Sequence, residues 1–257
     1  MVNKKPYCIF TFVKNEMFNL SIWLRYYKQY FKKEDIYIVN HESNDGSIDW
    51  LRRFGYNIID VHNDEIFDHE WLLNTTKRIQ RELLEKYEVV VFAEADELIV
   101  LNSPFDDSLT DMLEQFRLGD KKVIRVTCFT PIQMKTEEEC DSFNILNDRK
   151  YWYRDKHMNK PMISKIPLEW EYGYHNARNI IEDANPYILM VHLHKLDYKE
   201  AFLKNKRWET MKINQHALDN KLGFQNHIFD ENKFKEWFYG PDKLEEIPQF
   251  IKDKLKF

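Results

Sequence analysis

The sequence has few glycines, few cysteines and no long apolar run. Its six glycines form neither of the common glycine-rich phosphate loops, so bound phosphates would need another partner. The three cysteines are too few and too scattered for a disulfide framework, which favours a reducing compartment. No apolar run approaches the length of a membrane span, and residues 1–6 lead into a strand without a signal-peptide pattern. We therefore expect a cytoplasmic protein.

Apolar and aromatic side chains are abundant. Of the 257 residues, 43% are hydrophobic and 15% are aromatic, which is enough for a large core in one domain. The formal net charge of −5 argues against nucleic-acid binding. Some aromatic rings are expected to line a cleft, where they suit the faces of sugars or a nucleobase. The alternative is a tyrosine-rich core.

Strand and helix patterns alternate along the first hundred residues. Strands are predicted at 7–13, 35–40, 56–61 and from residue 89, and helices at 17–31, 47–53 and 70–87. Three strand–helix units followed by a strand imply parallel pairing with right-handed crossovers. Later segments are a helix at 108–118, strands at 121–130 and 187–194, a polar loop at 137–153, and a helix from Asp197 to about 213.

An acidic run ends the fourth predicted strand. The apolar segment 89–93 is followed by Glu94, Asp96 and Glu97. Ligands of open α/β sheets lie at the carboxyl ends of strands, and an extended chain would place Glu94 and Asp96 on the same side. Carboxylates that close repel each other unless a positive charge lies between them. A divalent cation is the simplest candidate, and three solvated acids are the alternative.

Three segments carry a recognisable pattern in a fixed order: FTFVKNE at 10–16, IVNHESNDGS at 38–47 and FAEADE at 92–97. In order and spacing they resemble the signatures of family-2-type glycosyltransferases with the GT-A fold, in a subgroup with an acidic-Ala-Asp-Glu version of the Asp-x-Asp motif. The resemblance covers residues 6–100 well and continues more faintly through Lys160, His175 and 192–206.

That resemblance implies a fold and an activity. The fold would be α/β, with a Rossmann-like, mostly parallel central sheet flanked by helices and a C-terminal helical extension. The activity would be a metal-dependent transfer of a sugar from a nucleotide-sugar donor to a hydroxyl of a glycan or lipid-linked acceptor, with inversion. Such a reaction serves the synthesis of surface polysaccharides or glycoconjugates.

The resemblance also implies roles for individual positions. Asn40 stands where these enzymes usually carry an Asp that reads the base, which leaves the base open. Asp96 matches the acid that binds the metal directly, while Glu94 replaces an Asp and its extra methylene can move it towards the ribose. The remaining predicted donor-binding residues are Thr11, Val13, Lys14, Asn15, Glu16, Ser43, Asp45 and Ala95.

Two histidines are candidates for further metal ligands. A departing nucleoside diphosphate needs its charge neutralised, which Mn²⁺ or Mg²⁺ does as a Lewis acid. His192 and His194 have strand spacing and are expected to face one side together. Imidazole with carboxylate suits Mn²⁺ better than Mg²⁺. The predicted ligands are Asp96, His192, His194 and Glu94. The alternative is histidines that pair with carboxylates or solvent.

Inverting transfer also requires a base that accepts the proton of the acceptor hydroxyl. The candidates are Glu169, Glu171, Asp141 and Glu139, and Glu171 is preferred because its aromatic neighbours could raise its pKa and bind a sugar face. Glu171, Glu169 and Asp96 form the predicted catalytic set. Each acid has a solvated surface position as its alternative.

Cationic side chains on two helices could balance the diphosphate. Lys77 and Arg78 lie on the long helix before the acidic run, and Lys204, Lys206 and Arg207 follow the histidines. His175 could orient a phosphate or the acceptor. Solvated helix faces are the alternative for the lysines and arginines.

One glycosyltransferase-like domain is expected over residues 1–230, with a nucleotide-binding half at about 1–100 and an acceptor half at about 101–215. The aromatic extension at 231–257 could cover this domain, join a second subunit or touch a membrane surface, and covering is expected. Two other functions remain open: an inactive sugar- or nucleotide-binding module of the same fold, and a sugar nucleotidyltransferase. The latter normally has a Gly- and Arg-containing loop after the first strand, which differs from residues 14–17.

Overall fold

The structure of the protein is a computed structural model that describes residues 3–63, 66–105, 108–140, 144–147, 149–209, 212–220, 228 and 230–256. The strands in these ranges are β1 (Lys5–Val13), β2 (Ile36–His41), β3 (Asn57–Val61), β4 (Ile66–Phe67), β5 (Tyr87–Phe92), β6 (Glu97–Leu101), β7 (Val123–Ile132), β8 (Tyr151–Arg154), β9 (Lys160–Ser164), β10 (Ala184–His192), β11 (Lys212–Ile213) and β12 (Glu245–Glu246). The helices are α1 (Met17–Tyr27), α2 (Ser47–Arg53), α3 (His69–Lys86), α4 (Leu109–Leu118), α5 (Tyr198–Glu209), α6 (Gln215–Asp219), α7 (Glu231–Tyr239) and α8 (Gln249–Lys254).

A mixed sheet forms the centre of the fold. Its main path runs β12-β8-β7-β9-β5-β1-β2-β3, and β10 pairs with both β7 and β6. The four strands β5, β1, β2 and β3 are parallel, as the alternation of strands and helices predicts. Beyond β5 the sheet changes direction because β9 pairs antiparallel with both β5 and β7. The predicted α/β class, with a parallel sheet flanked by helices, is confirmed.

Helices cover both faces of the parallel half. Successive residues of β1 point to opposite faces, so Ile9 joins the core cluster that contains Trp23 of α1. Phe10 joins the opposite cluster with Ile79 of α3. The long helix α3 is capped by Asp68, the residue before its first turn. The Asp68 side chain accepts hydrogen bonds from the backbone N–H groups of Glu70 and Trp71. Strand β1 is thus buried on both sides, and the carboxyl ends of the four parallel strands form one edge.

Several predicted boundaries differ from the observed ones. Helix α1 ends at Tyr27 rather than at residue 31. Ser47 is the first residue of α2, as predicted. Its backbone N–H donates to Asp45 Oδ1 at 3.1 Å, and its hydroxyl donates to the same oxygen at 2.5 Å. Strand β10 ends at His192, and residues 193–195 form a 3₁₀ turn. Asp197 does cap α5, since its Oδ1 accepts from Glu200 N at 3.0 Å.

The C-terminal extension packs on the rest of the chain. Phe234 and Phe238 of α7 form a small core with Ile132 of β7. Ile251 and Leu255 of the last segment join the main core. The extension therefore covers the domain, as expected. Within the described ranges, no helix is long and apolar enough to cross a membrane.

Candidate functional site

The loops after β1 and β2 are tied to each other at the carboxyl edge of the sheet. Asn15 N donates to Ser43 Oγ at 3.1 Å, and Asn44 N donates back to Asn15 Oδ1 at 2.8 Å. Asp45 Oδ2 accepts from Met17 N at 3.0 Å at the start of α1. Asn15 adopts a φ of 55°, a left-handed conformation that Asn tolerates better than most residues. The predicted donor loops thus form one connected surface.

The acidic run forms a tight turn rather than an extended end of β5. The strand ends at Phe92, and Glu97 N donates to the carbonyl oxygen of Glu94 at 2.9 Å. The Glu97 carboxylate accepts from Glu94 N, also at 2.9 Å. The expectation that Glu94 and Asp96 share one side of an extended strand is therefore wrong, because the chain turns between them. Below, residues 93–97 are called the acid turn.

Lys160 neutralises one side of the acid turn. Its ammonium, at the first position of β9, bonds both Glu94 and Glu97. The side chains of Lys160 and Glu97 are only 2% and 0% exposed, whereas that of Glu94 is 37% exposed. Burial alone would lower the pKa of Lys160, but the two carboxylates outweigh it and raise this pKa above its ordinary value. Burial raises the pKa of Glu97 because it disfavours the charged form, and the nearby Glu94 carboxylate adds to this increase against the opposing effect of Lys160.

Lys204 neutralises the other side. Its Nζ lies 3.2 Å from Asp96 Oδ2 and 3.1 Å from Glu16 Oε1, so it joins the acid turn to the loop after β1. Burial alone would raise the pKa of Asp96, but Lys204 and then His192 outweigh it and hold that pKa well below its ordinary value. Asp96 is therefore ionised at neutral pH.

The two predicted histidines meet beside Asp96. Strand β10 pairs antiparallel with β6 so that His192 lies opposite Glu97, and this places His192 Nε2 3.7 Å from Asp96 Oδ2. The His194 and His192 rings are 4.0 Å apart at 89°, with their Nδ1 atoms 2.8 Å apart. His194 also stacks on Trp237 of α7 at 5.8 Å. Burial, followed by the His192 charge, holds the pKa of His194 well below its ordinary value.

Asp96 and His192 fit a divalent cation better than the other two predicted ligands. They present a carboxylate oxygen and an imidazole nitrogen from neighbouring segments, which suits a cation whose other ligands come from substrate and water. Glu94 is bonded to Lys160, and His194 packs against Trp237. Within the described ranges, no three His, Cys, Asp or Glu side chains are grouped as a metal site. Asp96 and His192 therefore remain the predicted ligand pair.

Some predicted donor-binding side chains lie in the interior. Thr11 and Val13 are 0% and 1% exposed, which corrects the expectation that these side chains line a donor. Ala95 is likewise buried in the core. Asn40 is held by the protein, because its Nδ2 donates to Asp60 Oδ1 at 2.8 Å and its Oδ1 accepts from Ser43 N at 2.9 Å. These residues shape the donor loops from within.

The predicted bases and Lys77 pair with groups outside the acid turn. Lys77 Nζ lies 3.6 Å from Glu169 Oε2, and Glu169 also bonds Arg81, which together hold the carboxylate at the surface. Glu171 is part-exposed, and Arg178 Nε lies 3.3 Å from its Oε1. The other candidate pairs are Glu139 with Lys199, Arg78 with Glu82, and Lys14 with Glu42. Asp141 lies outside the described residues.

A loop near the acid turn holds two successive left-handed residues. Gly173 and Tyr174 have φ values of 74° and 63°. The Tyr174 ring covers the Lys160 ammonium at 5.8 Å, and its hydroxyl lies 3.0 Å from Thr76 Oγ1 of α3. Burial, followed by the Lys160 charge, lowers the pKa of His175 to about 3, so His175 is neutral.

Sequence reasoning did not identify Lys160 as part of the site. The available signal was a lysine beside apolar residues in a short strand, because such a lysine is almost never fully buried unless it is paired. The buried sequence KPMIS of β9 fits that description. Its partners lie 66 and 63 positions earlier, and no local pattern points to them.

A cleft opens beside Lys204. Its volume is about 340 Å³, within the range of small-molecule sites. Residues from the loops after β1 and β2 and from the first turn of α1 contribute to the lining, together with residues of α5. The lining residues are Asn15, Glu16, Met17, Phe18, Asn19, Asn44, Asp45, Glu200, Lys204 and Arg207.

The fold and site define an α/β protein whose acid turn, donor-type loops and histidine pair meet at the carboxyl edge of a parallel sheet. No protein-family model and no curated protein matches the chain. Among solved structures, it is similar to the mannosyltransferase PcManGT from Pyrobaculum calidifontis in complex with GDP-Man and Mn²⁺. The identity is 20%, over 49% of this chain and 36% of that one, with a TM-score of 0.33.

Two further solved structures are similar at low identity. TarS 1-349 from S. aureus is 12% identical over 89% of this chain and 73% of its own, with a TM-score of 0.36. A cytidylyltransferase from Leptospira borgpetersenii is 11% identical over 53% of this chain and 57% of its own, with a TM-score of 0.32. The chain thus spans less than two thirds of the mannosyltransferase and of the cytidylyltransferase. At these values the similarities carry no functional assignment.

Proposed function

We propose that the protein transfers a sugar from a nucleotide-sugar donor to a hydroxyl of a glycan or lipid-linked acceptor, with a divalent cation and with inversion. The observation that carries this proposal is the meeting of Glu16, Asp96, His192 and Lys204 at one edge of the sheet. These residues come from four segments, which include two of the three motifs resembling family-2-type glycosyltransferases. The uncharged and the charged parts of a nucleotide-sugar donor could thus both be bound at this edge.

The chain's own residues divide the proposed work. The loops after β1 and β2 bind the nucleoside part, and Lys204 and Arg207 face the diphosphate from α5. Asp96 and His192 would hold the cation, which supplies Lewis-acid stabilisation of the leaving diphosphate. Glu94, whose side chain remains 37% exposed, is proposed to meet the ribose. Glu171 is proposed as the base because its carboxylate is reachable from solvent, with Arg178 Nε 3.3 Å from its Oε1.

Binding of nucleotide sugars provides the first test. UDP, GDP and dTDP sugars are screened by thermal shift with Mn²⁺, since a ligand at 100 times its dissociation constant stabilises the native state by about 2.7 kcal/mol. Asp96→Asn should abolish the Mn²⁺-dependent part of the shift. Asp111→Asn, an exposed acid on α4, is the matched control and should retain it. Absence of any shift in the wild-type protein would contradict the proposal.

Turnover separates an enzyme from a binding module. The module is favoured by one observation, namely that lysines already pair with Glu94 and Asp96. Donor hydrolysis and transfer are measured with and without Mn²⁺, and the anomeric configuration of the product is read by NMR. An inverted product supports the proposed reaction, and retention would remove the need for Glu171 as a base. Tight binding without turnover of any donor would support the module.

A further inference from the structure

Lys204 occupies the position where a cation is expected. Its Nζ lies 3.2 Å from Asp96 Oδ2, the same oxygen that lies 3.7 Å from His192 Nε2. A dication held by Asp96 and His192 would therefore use the oxygen that Lys204 now bonds. The Lys204 ammonium and a dication are both positive and would repel each other strongly at one carboxylate, so they would compete for Asp96.

Lys204 is free to leave Asp96 without leaving the site. Its side chain is 27% exposed, and its ammonium has a second partner in Glu16, 3.1 Å away, on the cleft wall. Helix α5 is fixed independently at its start, where Asp197 Oδ1 accepts from Glu200 N at 3.0 Å. A flexible four-carbon stem can then reposition the ammonium while the helix stays in place.

Lys160 shows the contrasting arrangement on the other side of the acid turn. It is only 2% exposed, and one of its two partners, Glu97, is fully buried. The Tyr174 ring closes over its ammonium at 5.8 Å. Lys160 is thus a fixed counterion, whereas Lys204 lines an open cleft beside Arg207, three positions further along α5.

From this contrast we propose that Lys204 is an exchangeable counterion: it neutralises Asp96 until a divalent cation binds, and it then turns into the cleft to bind the donor's phosphates. The inference rests on the proposed function, because it assumes a nucleotide-sugar donor at this site. It assigns to Lys204 two opposite effects. The lysine opposes cation binding by the free protein and favours diphosphate binding once the cation is present.

These opposite signs define the experiment. Mn²⁺ binding to the full chain is measured without nucleotide by EPR of free Mn²⁺, for wild type and Lys204→Met, whose stem is similar in length. Removal of the competing ammonium should tighten Mn²⁺ binding by about tenfold. UDP and GDP binding is then measured at saturating Mn²⁺ by calorimetry, and the nucleotide that binds the wild type should bind Lys204→Met about tenfold more weakly.

Lys199→Met is the matched control. Lys199 lies on the same helix and has an ion pair of the same length, 3.1 Å to Glu139, but its side chain is 60% exposed and outside the cleft. This variant should leave both affinities unchanged. Equal or weaker Mn²⁺ binding by Lys204→Met, or unchanged nucleotide binding, would overturn the inference even if the wild type binds both ligands.

Two further checks keep the outcomes distinct. Circular dichroism and the melting temperature establish that Lys204→Met is folded, and Lys204→Gln, which retains a hydrogen-bond donor, replaces it if it is not. A wild-type protein that binds neither Mn²⁺ nor any nucleotide contradicts the proposed function. In that case, measurable Mn²⁺ binding by Lys204→Met would still support competition at Asp96. No measurable Mn²⁺ binding by Lys204→Met would overturn the inference.

Discussion

Replacing Lys160 with methionine removes the ammonium that is bonded to both Glu94 and Glu97. The two acids respond differently because their environments differ. Glu94 is 37% exposed and can be solvated, whereas the Glu97 carboxylate is fully buried and keeps its hydrogen bond from Glu94 N. The cost of the substitution therefore comes mainly from an unpaired charge at Glu97.

The expected magnitude follows from that burial. Removing one partner of a buried ion pair typically costs about 3–5 kcal/mol of folding free energy. Lys160→Met should lose about this amount at pH 7.5. The double variant Lys160→Met with Glu97→Gln removes both charges and keeps an oxygen acceptor for Glu94 N. It should recover about 1–3 kcal/mol relative to the sum of the single effects.

A pH dependence of known sign accompanies this loss. Without Lys160, burial raises the folded-state pKa of Glu97 above its unfolded value, so the native state binds a proton that the unfolded state releases. The penalty of Lys160→Met is then fully present at high pH. It shrinks as pH falls from 7.5 towards 5, by up to about 1.4 kcal/mol per pH unit.

Urea unfolding followed by tryptophan fluorescence measures these free energies, with m-values compared among variants. Lys150→Met serves as the control, because Lys150 is 58% exposed and its partner Glu246 is also exposed. It should change stability by less than about 0.5 kcal/mol. A loss below about 1 kcal/mol for Lys160→Met, or a penalty independent of pH, would refute the view that Lys160 is the required counterion of Glu97.

Two other substitutions test local features. Gly173→Ala should cost about 1–3 kcal/mol in urea unfolding, because its φ is 74° and a Cβ would lie 2.8 Å from the His175 ring. Gly46→Ala, at φ 84° with open space around the added Cβ, should lose less stability. Equal losses in the two variants would contradict a clash at residue 173. His41, whose pKa is lowered to about 4 by burial and then by Lys14, contributes stability above pH 6.5 that is lost as pH falls to about 4. His41→Phe should flatten that acid dependence by about 3 kcal/mol, and an unchanged slope would contradict the assignment.

The parallel half of the fold was predictable because its elements carry strong local patterns. Strand β5 is almost continuously apolar, as expected for a strand buried on both faces. Helix α3 carries a polar face and an Asp68 cap, so its start is recognisable from the sequence. Once strands and helices alternate, parallel pairing follows from the handedness of crossovers. The antiparallel pairing of β9 had no comparable signal, since this strand is short and its partners β5 and β7 are distant in sequence.

The acidic run was recognisable from the sequence, but its turn geometry and its charge partners were not. Local sequence indicated only that carboxylates so close together require positive charge near them. It did not show that Lys160 and Lys204, 66 and 108 positions away from Glu94 and Asp96, supply that charge. Which cation reaches a carboxylate depends on tertiary packing. The same limit explains Thr11, which a motif places near a donor and the sheet places in the interior.

The C-terminal extension contributes to the site through packing. Trp237 of α7 stacks on His194, which contacts His192, and the carbonyl oxygen of Trp237 accepts a hydrogen bond from Lys195 Nζ at 2.5 Å. The 3₁₀ turn after β10 is therefore held from both sides. On one side Leu193 N donates to the carbonyl oxygen of Asp96 at 2.7 Å, and on the other side the turn contacts α7. Since His192 is positioned by a turn that the extension supports, the proposed ligand pair requires the packing of α7 as well as the central sheet.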